Sequence, residues 1–508
     1  MSLEAYRQFA ETNVWSMLLP EIYLVALALV LLVFEMIFRK QDLLLVIRVG
    51  LWGQVLLLVL MGLSYLEGFP SEKAEAFAGL IVQTPVSELM RVFFVTSSIL
   101  VSYLATTYLK RQDLPRTEFL TITILITVGL MILVQSGQFL LFFVALETVT
   151  VGFYVLVAYC RRSPFSLEAG LKYLVLGALS SAILLFGIVL LYGVAGSPAL
   201  PGRVEDPFNF LALGSFITMN PGHPMVLVGA SLVLAGVAFK VGAFPFQIWI
   251  PDVYHGAPTP VTAFLAVASK AAGVFVLFLL VTGPFAALDR FLVPLLSTVA
   301  VLTILFGNLT ALPQRNVKRL MGLSGIAHAG YLLVGIVAAM TVDWAIYAII
   351  FYLITYLLAS FAVFGVMVHL SNDDDADQEL DHYEDLSRRQ PFLAGVLTIG
   401  LSSLAGIPPL GGFIGKLLIF LAAFQAGLYG LLVVSVIGVV ISIYYYFGWI
   451  REAVFRVWRS PEGDGSLSRP ESAPISVPTL DSVTLGGISA LSIAIGLFPA
   501  LVELLMVL

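Results

Sequence analysis

Four lysines fall inside stretches apolar enough to be buried in lipid: Lys172, Lys240, Lys270 and Lys416. Their surroundings read KYLVLGALSSAILLFG, AGVAFKVGAFPF, TAFLAVASKAAGVFVLFLL and PPLGGFIGKLLIFLAAF. A lysine at the centre of a membrane helix costs roughly 2.5–3.5 kcal/mol on insertion scales, a cost that an apolar residue would avoid. Four such residues therefore need a use. Glu147, in FLLFFVALETVTVGFYVL, supplies a carboxylate of opposite sign. Membrane-buried ionisable groups of this kind mark an ion or proton path.

Burial disfavours the charged form of an amine, and a nearby carboxylate favours it again. Glu147 is the available partner for Lys172 or Lys240. Separating such a pair releases the lysine proton, which is the elementary step of an electrostatically driven pump. Lys270 and Lys416 extend the relay along the bilayer midplane. His255, His328 and the hydroxyls of Tyr331 and Ser324 are candidate bridging groups. Plainer roles exist for several of these residues. A lysine near a helix end can snorkel to the interface, which applies most to Lys172. His328, in GLSGIAHAGYLL, can serve a helix–helix hydrogen bond, and His255, in PDVYHGAP, reads as a loop residue. Glu88 and Arg91 have the spacing of a local ion pair at a helix end.

These residues must be positioned by membrane helices. The chain has 508 residues, of which 59% are hydrophobic and 11% charged. Its mean hydropathy is +1.00. That composition excludes an ordinary soluble domain and fits an all-α polytopic membrane protein. The lone Cys160 excludes an intramolecular disulfide and a cysteine-held cluster. No metal-ligand histidine spacing and no glycine-rich phosphate loop occurs, so no redox-cofactor, metal or nucleotide site is expected. Nucleic-acid binding is not expected at a net charge of −6. The first fifteen residues, MSLEAYRQFAETNVW, lack the basic start and small-residue cleavage site of a signal peptide.

Apolar runs of spanning length number about fourteen: 18–38, 43–66, 86–109, 118–136, 138–160, 168–194, 225–248, 258–281, 288–309, 318–338, 343–369, 391–425, 428–450 and 482–506. The run 391–425 is too long for one straight span and contains GIPPLGG, which must break it; Pro245 breaks the run ending at 248. With the N-terminus outside, alternate loops place seventeen basic residues inside and five outside, which satisfies the positive-inside rule with both termini outside. Within the break 370–390 the acidic loop 373–385 reads as a solvated face or docking surface, and the Arg/Ser/Pro-rich break 451–481 as a flexible loop. A weak internal repeat relates 172–187 to 350–365 at an offset of 178. Lys240 and Lys416, 176 residues apart and each beside a Pro/Gly break, look like counterparts within it. Corresponding broken helices in two halves point to transport sites.

Four segments carry a family resemblance: FKVGAFPFQIWIPDVYHGAPTPVTAFLAVASKAAG, VKRLMGLSGIAHAGYLLVGI, SSLAGIPPLGGFIGK and the Glu147 region. Together they resemble subunit N of the proton-pumping NADH-quinone oxidoreductase, respiratory complex I, over essentially the whole chain. The wording PDVYHGAPTPVTAFLA, and a lysine rather than a glutamate at 416, favour subunit N over the sister antiporter-like subunits and the multi-subunit Na+/H+ antiporters.

The resemblance implies fourteen helices with broken seventh and twelfth members. It divides the chain into an N-terminal segment 1–117, inverted five-helix repeats 118–281 and 282–451, and a loop with a last helix, 452–508. It implies that Glu147 and Lys240 form the key pair, that Lys270 is the central link and that Lys416 faces the exit side. It implies no cofactor in this chain: FMN, iron–sulfur clusters and quinone belong to partner subunits. The expected partners are the other complex I membrane subunits in a bacterial inner membrane. The long 451–481 loop departs from the pattern.

A Na+/H+ antiporter subunit is the competing expectation. A sodium site favours carboxylate and carbonyl ligands. The lysine-rich midplane with one clear acid favours protons.

Overall fold

Inside a bilayer every backbone polar group must be satisfied within the protein, so this apolar chain folds almost wholly as helices. The computed structural model describes residues 12–37, 43–67, 73–112, 114–371, 375–455 and 477–498. The helices are α1 (Leu19–Ile37), α2 (Leu43–Glu67), α3 (Pro85–Arg111), α4 (Thr117–Leu133), α5 (Phe139–Val157), α6 (Pro164–Ala195), α7 (Phe210–Met219), α8 (Pro224–Val241) and α9 (Trp249–Gly256). They continue with α10 (Thr259–Thr282), α11 (Asp289–Ala311), α12 (Val317–Ala339), α13 (Ala345–Leu370), α14 (Pro391–Ala405), α15 (Gly411–Gln425), α16 (Tyr429–Ile450) and α17 (Thr479–Leu497). Two short antiparallel strands, β1 (Ala74–Ala76) and β2 (Ile81–Gln83), pair with Ala74 opposite Gln83.

Among the described residues, twelve helices are long and apolar enough to cross a membrane. The remaining runs of the sequence count appear as the shorter helices α4, α14 and α15. The polar stretch 195–224 contains α7, and 67–84 contains the hairpin; neither element was expected. Most of the 451–481 loop and the end of the last apolar run, from 499 on, lie outside the described residues.

Helix starts follow capping chemistry. Thr84 and Ser87 cap α3 reciprocally with Pro85 in the first turn. Ser163 caps α6, and Asn316 accepts from the amides of Lys318 and Arg319 at the start of α12. Burial orders the bundle: the apolar stretch of α12 is 100% buried and that of α13 94%, against 28% for α1. The residues of α12 and α13 are therefore the centre against which α11, α14, α15 and α17 pack.

Both expected interruptions are present. α8 ends at Gly242 (φ 79°) and α14 at Gly406 (φ 82°), left-handed positions that suit glycine. The Gly242 amide bonds to the carbonyls of Ala238 and Phe239, and that of Gly406 to Ser402 and Ser403. A cis proline follows each glycine at the same interval, Pro245 and Pro409. The two breaks are thus the same structure repeated 164 residues apart.

That register corrects the assignment of Lys240 and Lys416 as counterparts. Lys240 lies before its break, in the last turn of α8, whereas Lys416 lies after its break, inside α15. In the first break Lys416's place belongs to Asp252 on α9.

Charges assigned to loops are also relocated. Arg91 is buried and binds Glu21 as well as Glu88, through contacts of 2.6 Å to each. Lys318 is fully buried against Asp375 at 2.9 Å, which ties the acidic segment to the bundle at that point, while Asp381 stays 54% exposed.

Candidate functional site

The four lysines occupy three different kinds of surroundings. Lys240 is buried in the last turn of α8, and its ammonium donates to the Thr150 hydroxyl on α5. Thr150 lies one turn beyond Glu147 on the same helix, and the Glu147 carboxylate accepts from Ser181 of α6 at 2.5 Å. Glu147 and Lys240 thus share one helix as support without direct contact. A cavity of about 10 Å³, the size of one water, borders Lys240, Thr150 and Ser269.

Lys172 does not join Glu147. Its ammonium binds Asp252 of α9 at 2.6 Å and Glu168 at 2.7 Å, with 40% of the side chain exposed. The reason is depth: Ser181, the Glu147 partner, lies nine residues further along α6, about 14 Å of helix. Asp252 also accepts from Arg319 of α12 at 2.9 Å. His255, on α9, lines the same cavity of about 240 Å³ and stands apart from His328.

Lys270 and Lys416 belong to one line of polar groups through the middle of the bundle. A π-helical stretch, Leu265–Ser269, precedes Lys270, a feature frequent at functional sites. The Lys270 ammonium donates to the Gly325 carbonyl (2.7 Å) and the Tyr356 hydroxyl (3.0 Å). His328 follows: its ring centre is 4.9 Å from that of Tyr356, and its Nδ1 lies 2.6 Å from the Tyr352 hydroxyl. Its Nε2 lies 3.1 Å from the hydroxyl of Tyr446. A water-sized cavity then joins His328, Tyr352 and Tyr356 to Ser403 and Lys416. The Lys416 ammonium donates to the carbonyls of Leu404 (2.8 Å) and Ala405 (3.0 Å). Those carbonyls are the orphans left where α14 stops.

Of the expected bridging groups, Tyr331 lies beneath Lys416, 5.3 Å from ammonium to ring centre, and Ser324 bonds to the Met321 carbonyl. Tyr352, Tyr356, Tyr446 and Thr150 were not singled out from the sequence. One signal was available: Tyr352 and Tyr356 are spaced i, i+4 and so share a face of an otherwise apolar helix.

Chemically, the line consists of groups that can each donate and accept a proton, held by carbonyls and hydroxyls rather than by fixed anions. Among the described residues no group of acidic, histidine and cysteine side chains suited to a metal ion occurs.

A helical membrane bundle with two interrupted helices and buried lysines defines a class, and residues 136–442 match the family model described as NADH:quinone oxidoreductase/Mrp antiporter, transmembrane. Within that class the chain belongs to the NADH-quinone oxidoreductase subunit N family. It is 54% identical to subunit N 1 of Opitutus terrae, covering 98% of both chains. It is 36% identical to subunit N of Paramagnetospirillum magneticum, over 86% of this chain and 87% of that one. A chain of respiratory complex I from Thermus thermophilus superposes with a TM-score of 0.75 at 29% identity, covering 95% of this chain and 98% of the other. A chain of the Mrp complex from Dietzia sp. shares the fold, with a TM-score of 0.78 at 20% identity over 96% and 95% of the two chains.

Proposed function

We propose that this chain translocates protons as a membrane subunit of an NADH-quinone oxidoreductase, in a bacterial inner membrane and beside sister antiporter-like subunits. The observation that carries the reading is the buried polar line from Lys270 through Tyr356 and His328, on the most enclosed helices α10, α13 and α12, to Lys416 on α15. Lys240 with Thr150 and Glu147 forms its first station.

A proton enters at Lys240, passes to Lys270 and leaves by Lys416. Tyr356 and His328 shorten the gap from Lys270, and the water-sized cavity between His328 and Lys416 supplies the remaining link. Movement of charge at Glu147 sets the order of transfer by attracting or releasing the Lys240 ammonium. FMN, iron–sulfur centres and quinone act in partner subunits, and this chain contributes no redox site. The division into repeats 118–281 and 282–451 agrees with the matched breaks at Gly242 and Gly406. Taking α4 as one span and α14–α15 as another gives fourteen.

The test is Lys240→Ala in the assembled complex, in sealed vesicles. Proton uptake should fall, and coupled NADH-quinone turnover should slow with it. Lys240→Arg should not restore pumping, because arginine keeps its proton at any accessible pH. Uptake at the wild-type rate and ratio in Lys240→Ala overturns the reading. The Na+/H+ antiporter alternative is less supported, because the relatives at 54% and 36% identity are subunits N, whereas the Mrp chain shares the fold at 20% identity.

A further inference from the structure

Lys172, Asp252 and Arg319 are too exposed to belong to the buried line, yet they converge tightly on one cavity. With Glu168 and His255 they line a space of about 240 Å³. The side chains of Lys172, Asp252 and Arg319 are 40%, 34% and 34% exposed, so water reaches this cluster. Lys240 is 8% exposed and is surrounded mainly by apolar side chains such as Leu146, Val149 and Val237. Something must separate the wet cluster from the dry lysine.

Three packed aromatic rings sit on the helices that join the cavity to Lys240. Tyr173 directly follows Lys172 and is fully buried. Trp249 lies three residues before Asp252, one turn along α9, and its ring stacks on Tyr173 at 4.7 Å and 27°. Phe239 directly precedes Lys240, and its ring lies 5.3 Å from Trp249 and, nearly parallel, 6.4 Å from Tyr173. The Trp249 indole donates to the Phe239 carbonyl at 3.1 Å, pinning α9 to the end of α8 across the break. On the far side the Lys240 ammonium lies 5.9 Å from the Tyr173 ring centre and 5.7 Å from that of Phe239. Tyr173 is thus the chain neighbour of Lys172, and Phe239 that of Lys240.

We propose that Tyr173, Trp249 and Phe239 form a seal between the charged cavity and Lys240, closing the passage by which protons from the inner side reach the relay. The cavity side holds an acid, Asp252, bound to two cations, and the membrane side holds a lysine facing π-faces that attract its charged form. Three flat rings in contact leave no room for a water file. Because the stack is built from α6, α8 and α9, a shift of the short α9 relative to α8 would part Trp249 from Tyr173 and open it. Since protons are small and water wires conduct them, a single missing ring suffices for leakage. The inference rests on the proposed proton path, and its test does not use redox turnover.

The experiment measures passive proton flux. Assembled complexes carrying Trp249→Ala, Tyr173→Ala and Trp249→Phe are placed in sealed vesicles without NADH, and a pH step is applied. Trp249→Ala and Tyr173→Ala should raise the proton leak severalfold over wild type, while Trp249→Phe, which keeps a ring in the stack but loses the indole bond to Phe239, should leak less than Trp249→Ala. Adding Lys240→Ala to Trp249→Ala should abolish the extra leak, because the leaking protons run to Lys240. If either alanine complex assembles and remains as tight as wild type, or if the leak persists without Lys240, the seal is wrong. A tight Trp249→Ala complex alongside a pumping defect in Lys240→Ala defeats the seal alone. A Lys240→Ala complex with wild-type pumping defeats the proton path instead.

Discussion

Gly325 leaves bare the spot on α12 that the Lys270 ammonium occupies. Its carbonyl accepts from Lys270 at 2.7 Å, and a Cβ built on Gly325 would lie 2.9 Å from the Lys270 Nζ. Glycine here serves close approach of backbone to a charged group. The atom in the way is the far end of a flexible side chain, so the helix can accept the methyl by moving the lysine. Gly325→Ala should therefore assemble normally but displace Lys270 from Tyr356. Proton uptake in sealed vesicles should fall while the amount of assembled complex stays near wild type. Loss of assembly in place of pumping would show that Gly325 serves packing only.

Lys416 has a structural duty in addition to any proton it carries. It donates to the Leu404 and Ala405 carbonyls at the end of α14. Leaving a buried acceptor unsatisfied costs about 1–3 kcal/mol. Lys416→Met should lower the thermal stability of the isolated subunit in detergent, and Lys416→Gln, which keeps an N–H donor, should lower it less. Both should impair pumping. Equal melting of wild type and Lys416→Met would mean that water replaces the ammonium at no cost.

The Lys318–Asp375 pair fastens the acidic segment to the mouth of α10. Asp375 accepts from the Thr259 amide and hydroxyl, from Gln378 and from Lys318. Lys318 also donates to the Ala257 carbonyl at 2.6 Å. Breaking a buried pair by removing one partner costs about 3–5 kcal/mol, largely because the other charge is stranded. Lys318→Met should reduce the yield of folded subunit more than the double variant Lys318→Met with Asp375→Asn. The check is the melting temperature of each purified variant. A double variant no more stable than Lys318→Met would place the role in the Ala257 contact.

How far these relations could be read from the sequence depends on the kind of force involved. The breaks at Pro245 and Gly406–Gly412 were legible because Pro and Gly interrupt helices locally, whatever surrounds them. Lys240, Lys270 and Lys416 were legible because a charge in an apolar run needs an explanation wherever it sits. Tyr352 and Tyr356 escaped notice because tyrosine is ordinary in membrane helices; their contacts with His328 and Lys270 arise only when α10, α12 and α13 pack. Lys318 was misplaced because it stands in the first turn of α12, where a charge is normally solvated, and only the returning segment at Asp375 buries it. The pairing of Lys172 with Asp252 needed the fold of α9 across the break. The repeat register needed the backbone itself, since the matched glycines and prolines lie in otherwise different sequence.

The central claim is that Lys270 carries a proton rather than merely holding helices together. Lys270→Gln tests it most directly, since the amide can still donate to Gly325 and Tyr356 but cannot carry a transferable proton. The measurement is the number of protons translocated per NADH oxidised by the assembled complex in sealed vesicles, at matched turnover. A reduced ratio, or turnover slowed along with pumping, is the expected result. A Lys270→Gln complex with both the wild-type ratio and the wild-type turnover would contradict it.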